Sequence, residues 1–291
     1  MAEASVDLHA HSTASDGTLA PAEVVRLAKR IGLCGLALTD HDTIDGIDEA
    51  ASAAEALGID FLPGIEISCQ YPAPGTMHLL GYGIDPRSDV LRELTRRLIE
   101  ARDQRNPKII EKLNALNVSV TMDEVEAEAA GGVVGRPHIA AVLVRKGHVS
   151  STKQAFDKYL GQGAPAFVDK ERLTKEQALR RIDEAGGITV LAHPVQLRTQ
   201  NDAQLERVVK DLADLGLAGI EVLHSDHDDI HAARYARLAE RYGLIKTGGS
   251  DFHGHNKAGI ELGYCRGRRI PREYFDGILE RLARKRDRAT A

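Results

Sequence analysis

Histidines and carboxylates in this sequence are not scattered; they collect at the ends of short apolar runs. His9 and His11 form an H-x-H motif, and Asp16 follows it. Thr39-Asp40-His41-Asp42 closes a second run, and Glu66 lies within Pro63-Gly64-Ile65-Glu66-Ile67. His78 lies on a fourth run, His193 and His224 end two more, and Asp251-x-His253 ends the last. Alternate residues of an extended chain face the same side, so both imidazoles of the H-x-H can reach one ion. Mixed imidazole and carboxylate donors suit Mn, Fe or Zn, and no cysteine joins the set, which argues against a closed structural zinc site. Nine such residues at strand ends exceed the needs of one ion and imply a multinuclear centre. Clustered divalent ions make a hydroxide from water near neutral pH and clamp phosphoryl oxygens through an in-line displacement. Neither a P-loop nor a GxSxG elbow occurs, so nucleotide-driven and serine-hydrolase chemistry lack support.

Positioning such donors requires a common edge. Strands are expected at Ser5–His9, Gly35–Thr39, Asp60–Ile67, Met77–Ile84, Ile188–Ala192, Ala218–Leu223 and Ile245–Gly249. Amphipathic helices are expected at Pro21–Ile31, Asp45–Leu57, Lys175–Ala185, Asp202–Leu215 and Asp228–Tyr242. Strand–helix alternation predicts an α/β protein with a parallel sheet, whose sites form at the carboxyl ends of the strands. Seven strands are too few for a regular eight-fold barrel and suit a distorted one. From about Gln104 to Pro165 the rhythm breaks into helical pieces, at Pro107–Leu116, Thr121–Ala130 and Pro137–Lys146. The expected organisation is a catalytic barrel from 1–103 and 166–291, with a helical insertion at 104–165 that contributes to substrate binding.

Composition narrows the partners. The chain of 291 residues carries a net charge of −5, 4% aromatics and no Trp. Proteins that grip a long phosphate backbone usually show a basic surface or stacking aromatics. Long nucleic acid is therefore not expected, and Arg284-Lys285-Arg286 reads as a solvated helix end. The cysteines, Cys34, Cys69 and Cys265, are far apart and suggest no disulfide framework. No apolar run approaches membrane-spanning length, and the first strand begins too early for a signal peptide. A cytoplasmic protein with no obligate protein partner is expected.

The combined motifs resemble the PHP (polymerase and histidinol phosphatase) family of the amidohydrolase superfamily. That resemblance implies a distorted (β/α)7 barrel and two or three divalent ions, with Mn expected first and Fe or Zn as alternatives. It implies that His9, His11, Glu66 and Asp251 hold one ion, that Glu66 bridges to a second held with His78 and His193, and that Asp16, His41 and His253 hold a third.

Gly135-Arg136-Pro137-His138 opens a helical run in the insertion. Free N–H groups at a helix start, with Arg136 and His138, can grip a phosphate, although the same residues suit a plain helix start. The segment also resembles the PHP branch of nucleoside 3′,5′-bisphosphate phosphatases, which release the 3′-phosphate of substrates such as pAp. Some members trim short RNA from its 5′ end. The resemblance therefore implies a small nucleotide, or short RNA, as substrate, with Arg136 and His138 as contacts. His224 is a candidate acid for the leaving oxygen or a phosphate ligand. Lys170, Arg172, Arg198 and His255 are further anion-binding candidates. Asp42 is expected to support a ligand, and His148, His227 and His231 read as ordinary exposed positions. The competing functions are histidinol-phosphate phosphatase, an exoribonuclease proper and a non-catalytic metal-binding accessory domain.

Overall fold

The computed structural model describes residues 4–129 and 131–290. Seven strands form the barrel wall: β1 (Ser5–Asp7), β2 (Gly35–Leu38), β3 (Asp60–Cys69), β4 (Met77–Tyr82), β5 (Ile188–Leu191), β6 (Gly219–His224) and β7 (Ile245–Gly249). Two short strands, β8 (Tyr264–Cys265) and β9 (Arg268–Pro271), extend the sheet, whose order is β7-β6-β5-β4-β3-β2-β1-β9-β8. The pairing is parallel except at β4 and β9. β4 runs antiparallel to both β3 and β5. Only a short loop joins β3 to β4, and a hairpin permits antiparallel pairing alone, since a parallel return needs a crossover of a dozen residues or more. The expected all-parallel sheet is corrected at this strand. His78 consequently reaches the site from the beginning of its strand, opposite Ser68 near the end of β3.

The barrel closes where the chain after β1 changes partner. Leu8 N–H donates to Gly248, and His11 N–H to Phe252. That partner change ends β1 two residues before the expected boundary. The closure needs Gly249, because a Cβ there would overlap the backbone and Cβ of His9.

Helices α1 (Pro21–Arg30), α2 (Ile47–Leu57), α7 (Lys175–Glu184), α8 (Asp202–Asp214) and α9 (Asp229–Tyr242) cover the barrel, near their expected bounds. Their starts follow local rules: Pro21 opens α1, and Thr174, Asn201 and Asp228 accept backbone N–H bonds at the starts of α7, α8 and α9. A last helix, α10 (Arg272–Thr290), contains Arg284-Lys285-Arg286, which was expected to be a helix end; its Phe275, Ile278 and Leu282 join the core cluster of Val6, Leu8, Tyr82 and Val190.

Between β4 and α7 lie α3 (Asp89–Ala115), α4 (Met122–Ala129), α5 (Arg136–Arg145) and α6 (Thr152–Ala155), the last continuing into a π-turn at Phe156–Leu160. Ala130, the end of the expected 121–130 helix, lies outside the described residues. Pro107 does not start a helix; it sits inside α3. Interior proline costs about 3 kcal/mol, and packing at both ends offsets it. Leu91, Leu94 and Leu98 join the barrel cluster, while Ile109, Ile110 and Leu113 join a separate cluster with Val125, Ile139 and Leu160. The expected boundary near residue 104 thus falls within one continuous helix. Among the described residues no helix is long and apolar enough to cross a membrane.

Forcing a methyl group into the closure seam should strain β1 against β7. Gly249→Ala is expected to cost at least about 2 kcal/mol, within the overpacking range. Gly277→Ala on α10, where a Cβ would meet nothing within 4 Å, should be neutral or slightly stabilising. Urea midpoints of the two variants check this.

Candidate metal centre

The nine expected donors converge on the rim formed by the carboxyl ends of the parallel strands and the start of β4. Ligand atoms within 4.8 Å of one another group as His11/Asp16/His41/His253, His9/Glu66/His193, His9/His11/Asp251 and His41/Glu66/His78. Glu66 is the hub. Its Oε1 lies 2.8 Å from His78 Nδ1 and 2.9 Å from His193 Nε2. Its Oε2 lies 3.4 Å from the Nε2 of both His9 and His11 and 2.8 Å from His41 Nδ1. Yet Oε2, His9 Nε2, both ring nitrogens of His11 and His41 Nδ1 make no hydrogen bond. Lone pairs that crowd together without pairing are shaped for a common cation. Donors bound at about 2.0–2.2 Å stand roughly 3–3.6 Å apart in a tetrahedral or octahedral shell. The observed separations run from 2.8 to 3.9 Å, the longest between His41 and Asp16. The donor set therefore fits divalent ions.

Electrostatics agree. Burial alone would raise the Glu66 pKa, but His41, His78 and His9 hold it well below the usual carboxylate range. Burial would lower His41, but Glu66 and Asp16 raise it to about 9. His193 is pushed down to about 4 by burial, against the pull of Glu66.

A second ring of buried carboxylates, which the sequence reading largely missed, fixes the first. Glu221 on β6 takes His9 Nδ1 at 3.1 Å and the backbone N–H of His193 at 2.7 Å. With the proton on Nδ1, His9 turns Nε2 toward Glu66 and Asp251. Asp7 accepts the N–H groups of His9, Ser250 and Gly263, and Asp40 accepts from Ser12 and Ser15. The available signal was a charged residue within an apolar strand. Asp42, His193 and Asp251 have φ of 57°, 24° and 59°. Non-glycine residues held in this region store strain, which collects at functional sites.

The remaining candidates divide. His224 is buried; its Nδ1 accepts the Asp226 N–H, so Nε2 carries the proton toward Asp251 Oδ2 at 3.3 Å. Lys257, not anticipated, also contacts Asp251 Oδ2. Asp42 binds Lys170 and, at 2.5 Å, Arg102, and burial is outweighed by these cations, which hold it far below the carboxylate range. Arg102, Lys170, Arg105, Arg136 and Arg172 form a cationic basin beside the cluster. Burial and the fields of Arg102, Arg136 and Arg172 push Arg105 down to about 9. Burial, Arg172 and Arg102 push Arg136 to about 10. Arg136 donates to Leu160 O at 3.0 Å and lies over the rings of Phe156 and Phe167. His138 is buried; burial lowers its pKa, opposed by Asp16, and its Nδ1 accepts the Gly135 N–H, leaving Nε2 to donate. Arg198 and His255 are exposed and make no side-chain contact with the cluster. His227 is not an exposed position, as expected from sequence; it is buried between His224 and Tyr235, and burial pushes it to about 3.

A barrel whose rim gathers paired imidazoles and carboxylates around unpartnered lone pairs is the architecture of a metal-dependent hydrolase. A family model described as the PHP domain matches residues 7–255, and the chain belongs to this family. It is 36% identical to a 3′,5′-nucleoside bisphosphate phosphatase of Chromobacterium violaceum, over 90% of this chain and 91% of that protein. It is 38% identical to a 5′-3′ exoribonuclease of Haemophilus influenzae, covering 85% and 89% respectively. A solved amidohydrolase from Chromobacterium violaceum with bound sulfate superposes with a TM-score of 0.84 at 33% identity, covering 97% of both chains.

Glu221→Gln should leave the fold intact while weakening manganese binding about 10–100-fold, the usual effect of losing a partner that orients a ligand; metal titration of the purified variant checks it. His227 supplies a pH test. A histidine whose folded pKa is depressed binds fewer protons folded than unfolded. Its stability contribution is full above about pH 6.5 and is lost as pH falls toward 3. His227→Gln should therefore gain on the wild type in denaturation midpoint as pH drops from about 7 to 5, whatever their offset at pH 8.

Proposed function

We propose that this enzyme hydrolyses the 3′-phosphate of nucleoside 3′,5′-bisphosphates such as pAp, giving AMP and phosphate. The observation that carries this reading is the adjacency of two anion-handling regions. Asp42 follows the donor His41 directly and is held by Lys170 and Arg102 of the cationic basin. A substrate with two phosphates can place one at the cluster and the other in the basin.

The residues present fit two or three divalent ions; Mn is proposed first on the family resemblance, and the mixed imidazole and carboxylate set also suits Fe or Zn. When bound, such ions activate water and neutralise phosphoryl oxygens. The chain's own residues do the rest. Glu66 bridges the donor groups, and Glu221 and Asp7 orient the H-x-H segment. Arg105, Arg136 and Arg172 offer guanidinium forks to the remote phosphate, and His138 presents Nε2–H. His224 acts through Asp251, whose outer oxygen it fixes. Arg198 and His255 are proposed only as outer anion contacts.

The same basin can hold the 5′-phosphate of a short RNA, so limited 5′-to-3′ trimming is a second reading, supported by the resemblance to an exoribonuclease. Histidinol phosphate is disfavoured, because its ammonium group would meet five cations. A non-catalytic accessory role leaves the complete donor set without a purpose. Three free cysteines fit a reducing cytoplasm.

Phosphate release from pAp, histidinol phosphate and a short 5′-phosphorylated RNA tests the assignment; preference for histidinol phosphate would overturn it. Arg105→Gln and Arg136→Gln should each lower kcat/KM for pAp at least about tenfold, equivalent to about 1.4 kcal/mol. Losses on an aryl phosphate should be smaller and bound manganese unchanged.

A further inference from the structure

The end of the barrel opposite the metal centre carries a second concentration of positive charge. Arg281, Arg284, Lys285 and Arg288 recur at i, i+3, i+4 and i+7 on α10, which places them on one helix face. All four line a cavity of about 230 Å³ at the starts of β5 and β6. Two of the four are already committed. Lys285 donates to the carbonyls of Asp183 and Gly187 and pairs with Asp183 Oδ1 at 2.7 Å, closing the end of α7. Arg284 lies 3.5 Å from Glu280.

Arg281 and Arg288 have no carboxylate partner among the described residues. The end of α8 also meets this cavity, at Gly216. A helix terminus supplies only about half a negative charge. Two guanidinium groups therefore outweigh the negative field that faces them. Thr189, on β5, lines the same cavity and is 4% exposed.

We propose that this cavity is a second phosphate-binding site, for a small phosphate monoester held by the forks of Arg281 and Arg288 and by the Thr189 hydroxyl. Guanidinium recognises phosphate oxygens bidentately, and a hydroxyl can donate the third bond. The volume suits a phosphate with a sugar-sized group rather than an oligonucleotide. The site rests on the proposed function only in the choice of probe.

Binding of inorganic phosphate and of AMP to the metal-loaded protein, measured by isothermal titration, tests it apart from turnover. Wild type should bind one phosphate per chain more than Arg281→Ala/Arg288→Ala, and AMP should compete for that extra phosphate. Thr189→Val should weaken the same site at least threefold. Thermal midpoint and kcat/KM on pAp should stay within error in the double variant, since neither arginine touches the metal centre. Equal phosphate stoichiometry in wild type and double variant would overturn the proposal, as would binding of short RNA at this face without binding of phosphate or AMP. Failure of pAp as a substrate would leave the binding result unaffected and so be distinguishable.

Discussion

The rest of the structure depends on one buried carboxylate. Glu66 has no solvent exposure and is surrounded by His9, His11, His41, His78 and His193. An isolated buried carboxylate is costly, and buried charges persist when paired or coordinated to metal. Here the compensation is divided among five imidazoles from four segments of the chain. Each must arrive with a chosen nitrogen facing inward, and that demand explains the second ring of Glu221, Asp7, Asp40 and Asp42. These carboxylates bind backbone N–H groups, hydroxyls and the outer faces of the donors rather than contributing to the hub.

Strain is concentrated in the same place. Asp42, His193 and Asp251 occupy left-handed backbone conformations, and each is tied down by a specific bond or ion pair. Gly249 allows β7 to approach His9 closely, which brings Asp251 to the first pair of histidines. Closure of the barrel and assembly of the centre are therefore a single packing event.

Asp42 joins the centre to the insertion. It sits beside His41 in sequence and accepts Arg102 from α3 and Lys170 from the segment after the insertion. Arg105 lies one helical turn beyond Arg102 and, like Arg136, has no carboxylate partner among the described residues, whereas Arg172 pairs with Asp169. The single continuous helix α3 carries the barrel's packing and these arginines alike, so basin and cluster hold a fixed spacing.

How much of this was legible in the sequence follows from which signals are local. The nine donors were readable because strand ends place consecutive or alternate residues at one rim, and because imidazole and carboxylate together carry a chemical meaning without coordinates. The helices flanking the strands were readable from periodicity and caps. The direction of β4 was not, since an apolar run reads the same either way and only its partners decide it. The continuity of α3 through Pro107 was hidden because a local rule against interior proline was overridden by packing at both ends. Glu221, Asp7, Arg102 and Arg105 carry no motif; their roles come from residues as far as 256 positions away, as with Asp7 and Gly263. Arg198 and His255 had the right residue type but were left exposed by the fold. Sequence by itself determined which side chains could bind metal, because coordination chemistry belongs to residue types. Tertiary structure alone decided which atoms face one another, because lone pairs converge only after the barrel has closed.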